Sequence, residues 1–295
     1  MRESPDTRCA VIALAGKPNS GKSTLLNAIV GAKLAIISAK PQSTRQSVVG
    51  IHTEGETQLV FVDPPGLLEP RYLLQQAMME QVMDALRGAD AILHLSTLAD
   101  GAPPPLEELV PADALKGQPV ATVLTGADLV PPHERPATAP PTFLVGATTG
   151  EGVKEVLEWC REQARPGAFR YDPEDISTQP LRFFVAEFVR EAAFELLDEE
   201  LPYALAAEVD EFREDSDPVY IRVTVHVERE SQKGIVIGSN GRTIKQLGAL
   251  ARQSIEHLLG KRVFLDLWVK VLPKWRRSPQ RLRELGFPLP GTRNQ

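Results

Sequence analysis

With two cysteines in 295 residues, the chain has no material for a disulfide framework, and Cys9 and Cys160 lack metal-ligand spacing. A reducing cytoplasm is the natural reading. No apolar run approaches the ~20 residues that cross a bilayer. Acidic residues and a proline precede the first apolar run, so a secretory signal is not expected. There is no internal repeat, which excludes a solenoid or propeller.

What is present is an ordinary globular composition, 42% hydrophobic and 24% charged, with length enough for about two domains. The net charge of −6 is unevenly spread. Residues 171–228 carry 4 basic and 16 acidic side chains; residues 229–295 carry 14 basic and 4 acidic. A basic end on an acidic chain points to a local site for a polyanion.

Short apolar runs at 9–14, 59–62, 91–96, 120–125 and 142–146 each close on a polar or glycine-rich loop and read as buried strands. Helices are expected at 24–30, 72–86 and 151–165, and a hairpin across Glu54-Gly55. Such alternation argues for a mostly parallel sheet covered on both faces, with ligands bound at the carboxyl ends of the strands. Residues 166–180 read as a linker, and 102–105 and 130–141 as proline-rich surface loops. Beyond the linker, Val185, Val189, Ala192, Ala193 and Leu196 mark one helical face, and 219–227 alternates as a half-buried strand. A glycine-rich turn, a helix to about 259 and a strand at 263–271 complete a compact α+β module.

The stretch 16–23, GKPNSGKS, fits G-x-x-x-x-G-K-[ST] between a strand and a helix. Its glycines let the backbone wrap a phosphate, and the N–H groups of Asn19, Ser20, Gly21 and Thr24 lie on the stretch that faces the anion. Lys22 would reach the β- and γ-phosphates and the Ser23 hydroxyl would ligate Mg²⁺. Asp63 ends a strand and suits a Mg²⁺ contact, while Gly66 can offer its N–H to a γ-phosphate. In the polar stretch 41–45, Thr44, with Ser43 as the alternative, could close its hydroxyl onto the metal when the γ-phosphate is present. Lys22, Thr44 and Gly66 are thus the candidate catalytic set. The Asp128 carboxylate can accept from both guanine donors, a pair adenine lacks; Thr125 opens its loop. Gly146-Ala147-Thr148 follows the next strand, with the Ala147 N–H placed to meet the guanine carbonyl.

In this order the loops resemble those of the translation-factor class of GTPases, specifically the Era family. The resemblance is carried by GKPNSGKSTLLNA, PQSTRQ and GIHTEGETQLVFVDPPG, and beyond the linker by QPLRFFVAEFVREAAFELLDEELPYALAAEVDEF, VERESQKGIVIGSNGRTIKQLGALAR and LDLWVKV. It covers nearly the whole chain and is weakest at 97–140. It implies an α/β Ras-like P-loop GTPase domain with a mostly parallel sheet over 1–170, followed over 171–295 by a linker and an α+β KH domain of type II. It further implies hydrolysis of GTP to GDP with Mg²⁺, and binding of the 3′ end of small-subunit ribosomal RNA during assembly of the small ribosomal subunit. The expected form is a cytoplasmic monomer with a peripheral contact at the inner face of the membrane.

Three positions bear on this resemblance. Leu67 stands where Ras-like proteins carry the glutamine that orients water. Asn19 matches the asparagine with which some relatives hold K⁺, and could equally brace its own loop. The family's base-recognition pattern Asn-Lys-x-Asp reads Thr125-Gly126-Ala127-Asp128, lacking the asparagine that ties loops together and the lysine stem that covers the base. This leaves open a second reading, a degenerate nucleotide-binding RNA chaperone with little catalysis.

Gly238-Ser239-Asn240-Gly241 between two helices matches the KH loop that clamps about four nucleotides. Arg242 and Lys245 follow it, and Lys233, Lys270, Lys274, Arg276 and Arg277 are candidate phosphate contacts. Trp275 could stack on a base or pack inside; Trp268, within a strand, is read as core.

Overall fold

The computed structural model describes residues 6–289. They pack as two compact units. The first runs to Ala35 and includes Thr44–Pro70 and Met78–Thr178; the second holds Ile36–Ser43, Arg71–Ala77 and the chain from Gln179 onward.

In chain order the first unit is built from β1 (Arg8–Gly16), α1 (Lys22–Val30), β2 (Val48–Glu54), β3 (Thr57–Asp63), most of α2 (Leu73–Gly88), β4 (Ala91–Thr97), β5 (Val120–Thr125), β6 (Thr142–Val145), α3 (Val153–Glu162) and the two-residue β7 (Arg165–Pro166). The sheet order is β2-β3-β1-β4-β5-β6, with β7 on β1. β3, β1, β4, β5 and β6 run parallel, and β2 is antiparallel to β3 across the Glu54-Gly55 turn. Ala10 through Ala15 are all buried, as the central strand of a sheet covered on both faces requires. Because these strands run parallel, the loops after β1, β3, β5 and β6 gather at one end of the sheet.

α3 is shorter than its apolar pattern suggests. It stops at Glu162, and Arg165 pairs instead with Cys9. Pro166 disfavours helical geometry at the residue before it, which sets the exit. The expected linker is likewise tied down over its first part. Gln58 donates to the Tyr171 carbonyl and accepts from the Arg170 and Tyr171 N–H groups. The Ile51 N–H donates to Ile176 O, and Ser177 Oγ to Val49 O, so this segment covers the β2 edge.

The second unit comprises α4 (Leu181–Leu196), α5 (Leu201–Ala204), β8 (Ala206–Arg213), β9 (Val219–Val227), α6 (Glu230–Ile237), α7 (Arg242–Leu259), β10 (Val263–Val271) and α8 (Pro279–Glu284). Its sheet is β10-β9-β8, with β9 parallel to β10 and antiparallel to β8. Val219, Ile221, Val223, Val225 and Val227 are buried on one face, as are Val185, Val189, Ala192 and Ala193 of α4. Leu196 is only partly buried; the chain leaves the helix there and Leu197 fills the inner position.

Trp268 is not a core residue. Register pairs it with Thr224 on the face opposite the valines, and it is 54% exposed. Its Nε1 donates to Asp266 Oδ2, while its neighbour Leu267 faces Gly248 of α7. The period of two along a strand makes this choice, and an apolar side chain does not by itself say which face is the inner one. Trp275 is the core tryptophan: fully buried, stacked near Phe287, its Nε1 donating to Ala204 O.

Candidate nucleotide site and RNA-facing loop

β1 ends at Gly16 and the chain turns back into α1, which begins at Lys22. Lys22 is buried, and its ammonium lies across its own loop, donating to Gly16 O at 3.2 Å and Lys17 O at 3.1 Å. Burial lowers its pKa and the Asp63 charge opposes that. Asn19, at φ 63, holds the left-handed bend of the loop.

Beside Lys22 three oxygens meet. Ser23 Oγ donates to Asp63 Oδ2 at 2.7 Å and lies 3.1 Å from Thr44 Oγ1. Of the two candidate hydroxyls, it is Thr44 that meets Ser23; the Ser43 carbonyl accepts from the buried Arg190 of the second unit at 2.7 Å. Asp63 is fully buried. Burial pushes its pKa up to about 6, against the pull of Lys22 and of the Ser23 hydroxyl. Asp63 Oδ1 and Ser20 Oγ are buried without a hydrogen-bond partner. A buried, half-satisfied carboxylate next to two hydroxyls is a donor set of hard oxygens, and fits Mg²⁺. Among the described residues no cluster of three or more His, Cys, Asp or Glu could hold a metal. One carboxylate with hydroxyls, completed by water and substrate phosphate oxygens, is a common way of holding Mg²⁺.

Gly66 approaches the phosphate loop closely. A Cβ there would stand 2.5 Å from Pro18 N and 2.7 Å from Pro18 Cα. The next residue, Leu67, donates its N–H to Gly16 O, and its side chain is buried in a cluster with Val82, Leu86 and Leu106. It offers water neither a hydrogen bond nor access.

On the other side, β5 delivers Thr125 to the phosphate loop. Its Oγ1 donates to Ser20 O at 2.9 Å and lies 3.3 Å from Ser96 O. Thr125 stands where the family pattern has asparagine, and its hydroxyl joins the end of β5 to the phosphate loop. Asp128 sits in the three-residue turn Ala127–Leu129, and a Cβ on Gly146 would be 3.0 Å from the Asp128 Cβ, so the β5 and β6 loops are in contact. Ala147 and Thr148 continue that second loop at the surface.

Two side chains absent from the sequence reading position these loops. Asn27 accepts from the Leu34 and Ala35 N–H groups and donates to Ala35 O, fixing the exit of α1. Gln81 of α2 accepts from Ser47 N and donates to Arg45 O, fixing the residues after Thr44. The partners are backbone groups, 7 and 8 residues away for Asn27 and 34 and 36 for Gln81, and a backbone partner leaves no residue type in the sequence to mark it.

In the second unit, Gly238–Gly241 joins α6 to α7. A Cβ on Gly238 would meet Thr243 Oγ1 at 2.2 Å, so only glycine fits. Ser239 and Asn240 are exposed, Asn240 at φ 52, and α7 starts with no side-chain cap, leaving its first N–H groups available to an anion. Arg242, Lys245, Lys270, Lys274 and Arg277 are exposed and Lys233 partly so. Arg276 differs: it is ion-paired with Glu228 and lies over the Tyr72 ring. Ile235, an apolar residue 54% exposed on α6, flanks the loop; a helix of eight residues is too short for its periodicity to mark that exposure.

Strand-end loops that bring a lysine, a hydroxyl–carboxylate centre and an aspartate-bearing base loop to one end of a doubly wound sheet define a P-loop GTPase. The α-β-β-α-α-β unit with its glycine loop is a KH module. Family models agree: residues 11–125 match the 50S ribosome-binding GTPase family and residues 200–276 the KH domain. The chain is 37% identical to GTPase Era of Carboxydothermus hydrogenoformans over 287 residues, 94% of this chain and 96% of that one. It is 39% identical to GTPase Era of Thermotoga maritima over 279 residues, 90% and 93% of the two. Among solved structures it resembles a point variant of Aquifex aeolicus Era bound to GDP and AlF4⁻, with a TM-score of 0.88, 34% identity, and 96% of this chain and all of that one covered. It resembles equally Era in complex with MgGDPNP and nucleotides 1506–1542 of 16S ribosomal RNA, with a TM-score of 0.87, 34% identity and the same coverage. The chain belongs to the Era family of GTPases.

Proposed function

We propose that this chain is a GTP-hydrolysing switch that binds the 3′ end of small-subunit ribosomal RNA and assists assembly of the small ribosomal subunit. The observation that carries the reading is the convergence of Ser23, Thr44 and Asp63 beside the buried Lys22 at the mouth of the phosphate loop. Relatives matching 96% of this chain have been seen with GDP and AlF4⁻ and with MgGDPNP plus 16S ribosomal RNA. The GTPase domain is assigned to 1–170 and the linker plus KH domain to 171–295.

In this reading Lys22 leaves its two loop carbonyls for the β- and γ-phosphates, and Ser23, Thr44 and Asp63 would hold Mg²⁺, which when bound would neutralise phosphate charge. Gly66 offers its N–H to the γ-phosphate. Asp128 selects guanine and Ala147 donates to its carbonyl. Leu67 cannot orient water, so acceleration rests on Lys22 and the backbone donors, with Mg²⁺ and a K⁺ at Asn19 supplying further positive charge where they would be bound. Thr44 and Gly66 lie on segments that are ordered by the γ-phosphate and released on hydrolysis. The Gly238–Gly241 loop, with Arg242, Lys245 and the exposed lysines, clamps single-stranded RNA against the first turn of α7. The protein acts as a cytoplasmic monomer with a peripheral contact at the inner membrane face; among the described residues no helix is long and apolar enough to cross a membrane.

The test is GTP turnover with and without an oligonucleotide carrying the small-subunit 3′ sequence. Turnover alone should be slow, on the order of 10⁻⁴ s⁻¹ as for unassisted Ras. RNA affinity should differ between the GDP-bound and GTP-analogue-bound protein. Absence of hydrolysis, or equal RNA affinity in both states, overturns the switch.

A further inference from the structure

The base loop departs from Asn-Lys-x-Asp at its first two positions, yet it is not loose. Thr125 is buried, and its hydroxyl proton goes to Ser20 O, the shorter of its two contacts. The fit around it is close: a Cβ on Gly21 would stand 2.9 Å from Thr125 Oγ1 and 3.0 Å from its Cβ and Cγ2. Thr125 therefore packs against both halves of the Ser20–Gly21 peptide. That peptide is planar and trans, so its C=O and N–H point to opposite sides. With the carbonyl held toward Thr125, the Gly21 N–H is held on the far side, among the donors open to a phosphate.

The second missing element is the apolar lysine stem over the base. Gly126 carries no side chain and sits at φ 76, a conformation costly for lysine. The space above it is filled by Leu129, whose Cδ1 lies 3.6 Å from where a Gly126 Cβ would be. Leu129 is 84% exposed, next to Asp128, so its apolar face is open to a planar ligand held by that carboxylate.

We propose that Thr125 is a positioning residue that replaces the asparagine tie through its hydroxyl, and that Leu129 replaces the lysine stem as the apolar cover of the guanine. The inference rests on the reading of 16–23 and Asp128 as the guanine-nucleotide site. It makes the departed motif a working one. The substitutions Thr125→Asn and Gly126→Lys, which restore the family letters, then bring no gain in GDP affinity.

The test is titration of a fluorescent GDP and a fluorescent non-hydrolysable GTP analogue against full-length variants, with steady-state turnover and a nucleotide-free melt alongside. Thr125→Val, which keeps the shape and removes the hydroxyl, should weaken both nucleotides alike by about 10-fold, the scale of one buried hydrogen bond. KM should rise while kcat at saturation stays within about 2-fold, because Thr125 touches no reacting atom. Thr125→Ser, which restores the hydroxyl, should rescue binding. Leu129→Ser should weaken guanine nucleotides several-fold and leave inhibition by inorganic tripolyphosphate unchanged. Wild-type affinity in Thr125→Val, or equal losses in Thr125→Val and Thr125→Ser, overturns the tie; equal losses for nucleotide and tripolyphosphate in Leu129→Ser overturn the cover. Asp128→Asn is the separate control. If it fails to exchange GTP preference for xanthosine triphosphate, the guanine-site reading itself is wrong, whatever the Thr125 variants show.

Discussion

Gly66→Ala is the most direct test of the switch geometry. The new methyl would stand 2.5 Å from Pro18 N, 2.7 Å from Pro18 Cα and 2.8 Å from Pro18 Cδ, where ordinary contact begins at 3.4 Å. Two of those atoms are backbone and the third belongs to a rigid ring, so no side-chain rotation relieves the overlap. Either the phosphate loop or the segment after Asp63 must move by about 1 Å, and overpacking of this kind costs roughly 1–3 kcal/mol. The functional consequence is larger than the stability one. A displacement of ~1 Å between Gly66 N–H and the γ-phosphate can cost about 100-fold in rate. GDP has no γ-phosphate, so its affinity should stay within about 3-fold of wild type, while the preference for a GTP analogue is lost. Single-turnover hydrolysis and calorimetric titration of both nucleotides measure this. Gly88→Ala, where a Cβ meets nothing within 4 Å, is the control and should change neither. Hydrolysis within about 3-fold of wild type in Gly66→Ala would refute the close approach as a catalytic requirement.

Four further outcomes are expected. Burial raises the folded-state pKa of Asp63 from 3.8 to about 6, so without Mg²⁺ and nucleotide the folded protein binds a proton that the unfolded chain has released. Wild-type stability relative to Asp63→Asn should then fall as pH rises from ~4 to ~6, by up to about 3 kcal/mol, and level off above; thermal unfolding across pH checks it, and a difference that rises with pH contradicts the burial argument. Exchanging K⁺ for Na⁺ should slow hydrolysis in wild type and have no effect in Asn19→Ala; equal wild-type rates in the two salts remove the K⁺ site. Asn240→Asp with Gly241→Asp should abolish most binding to single-stranded 3′-end RNA in gel shifts while GDP affinity is unchanged, since carboxylates there repel phosphates. Lys274→Ala should weaken all RNAs alike and flatten the salt slope by about 0.7.

Much of the fold could be read from periodicity because each strand of the first sheet is an apolar run closed by a loop, and β9 alternates without a break. Where the structure departs from the sequence pattern, or adds to it, the causes are local. α3 was overextended because its amphipathic pattern runs on toward Arg165, whereas the Pro166 ring restricts the backbone before it. The linker reading at 166–180 was drawn from prolines and acids. It could not show that Gln58, a lone polar residue inside a strand, reaches out to hold residues 170 and 171. Trp268 was misplaced because its two faces differ only by register: the neighbouring Leu267 is turned toward α7, and Trp268 stands outward beside Arg222.

At the site, the phosphate loop was legible because its constraints are local. Glycine is needed where backbone approaches backbone, and lysine and serine follow at fixed spacing. The base loop was harder because its tie is a contact between residues 105 apart, Thr125 and Ser20. A motif records which residue usually supplies an atom. The structure requires only that a hydrogen-bond donor stand within about 3 Å of one carbonyl. Asparagine supplies that donor from an amide at the end of two torsions; threonine can do so from a shorter side chain, provided the strand end lies closer to the loop. Here the approach is close: a Cβ on Gly21 would stand 2.9 Å from Thr125 Oγ1. The same logic covers Asn27 and Gln81, whose polar ends hold backbone groups of the α1 exit and of the segment after Thr44. What these three side chains share is a backbone partner. Side chain–backbone ties constrain where an atom must be but not which residue type provides it, so they can change identity without loss of the geometry they maintain.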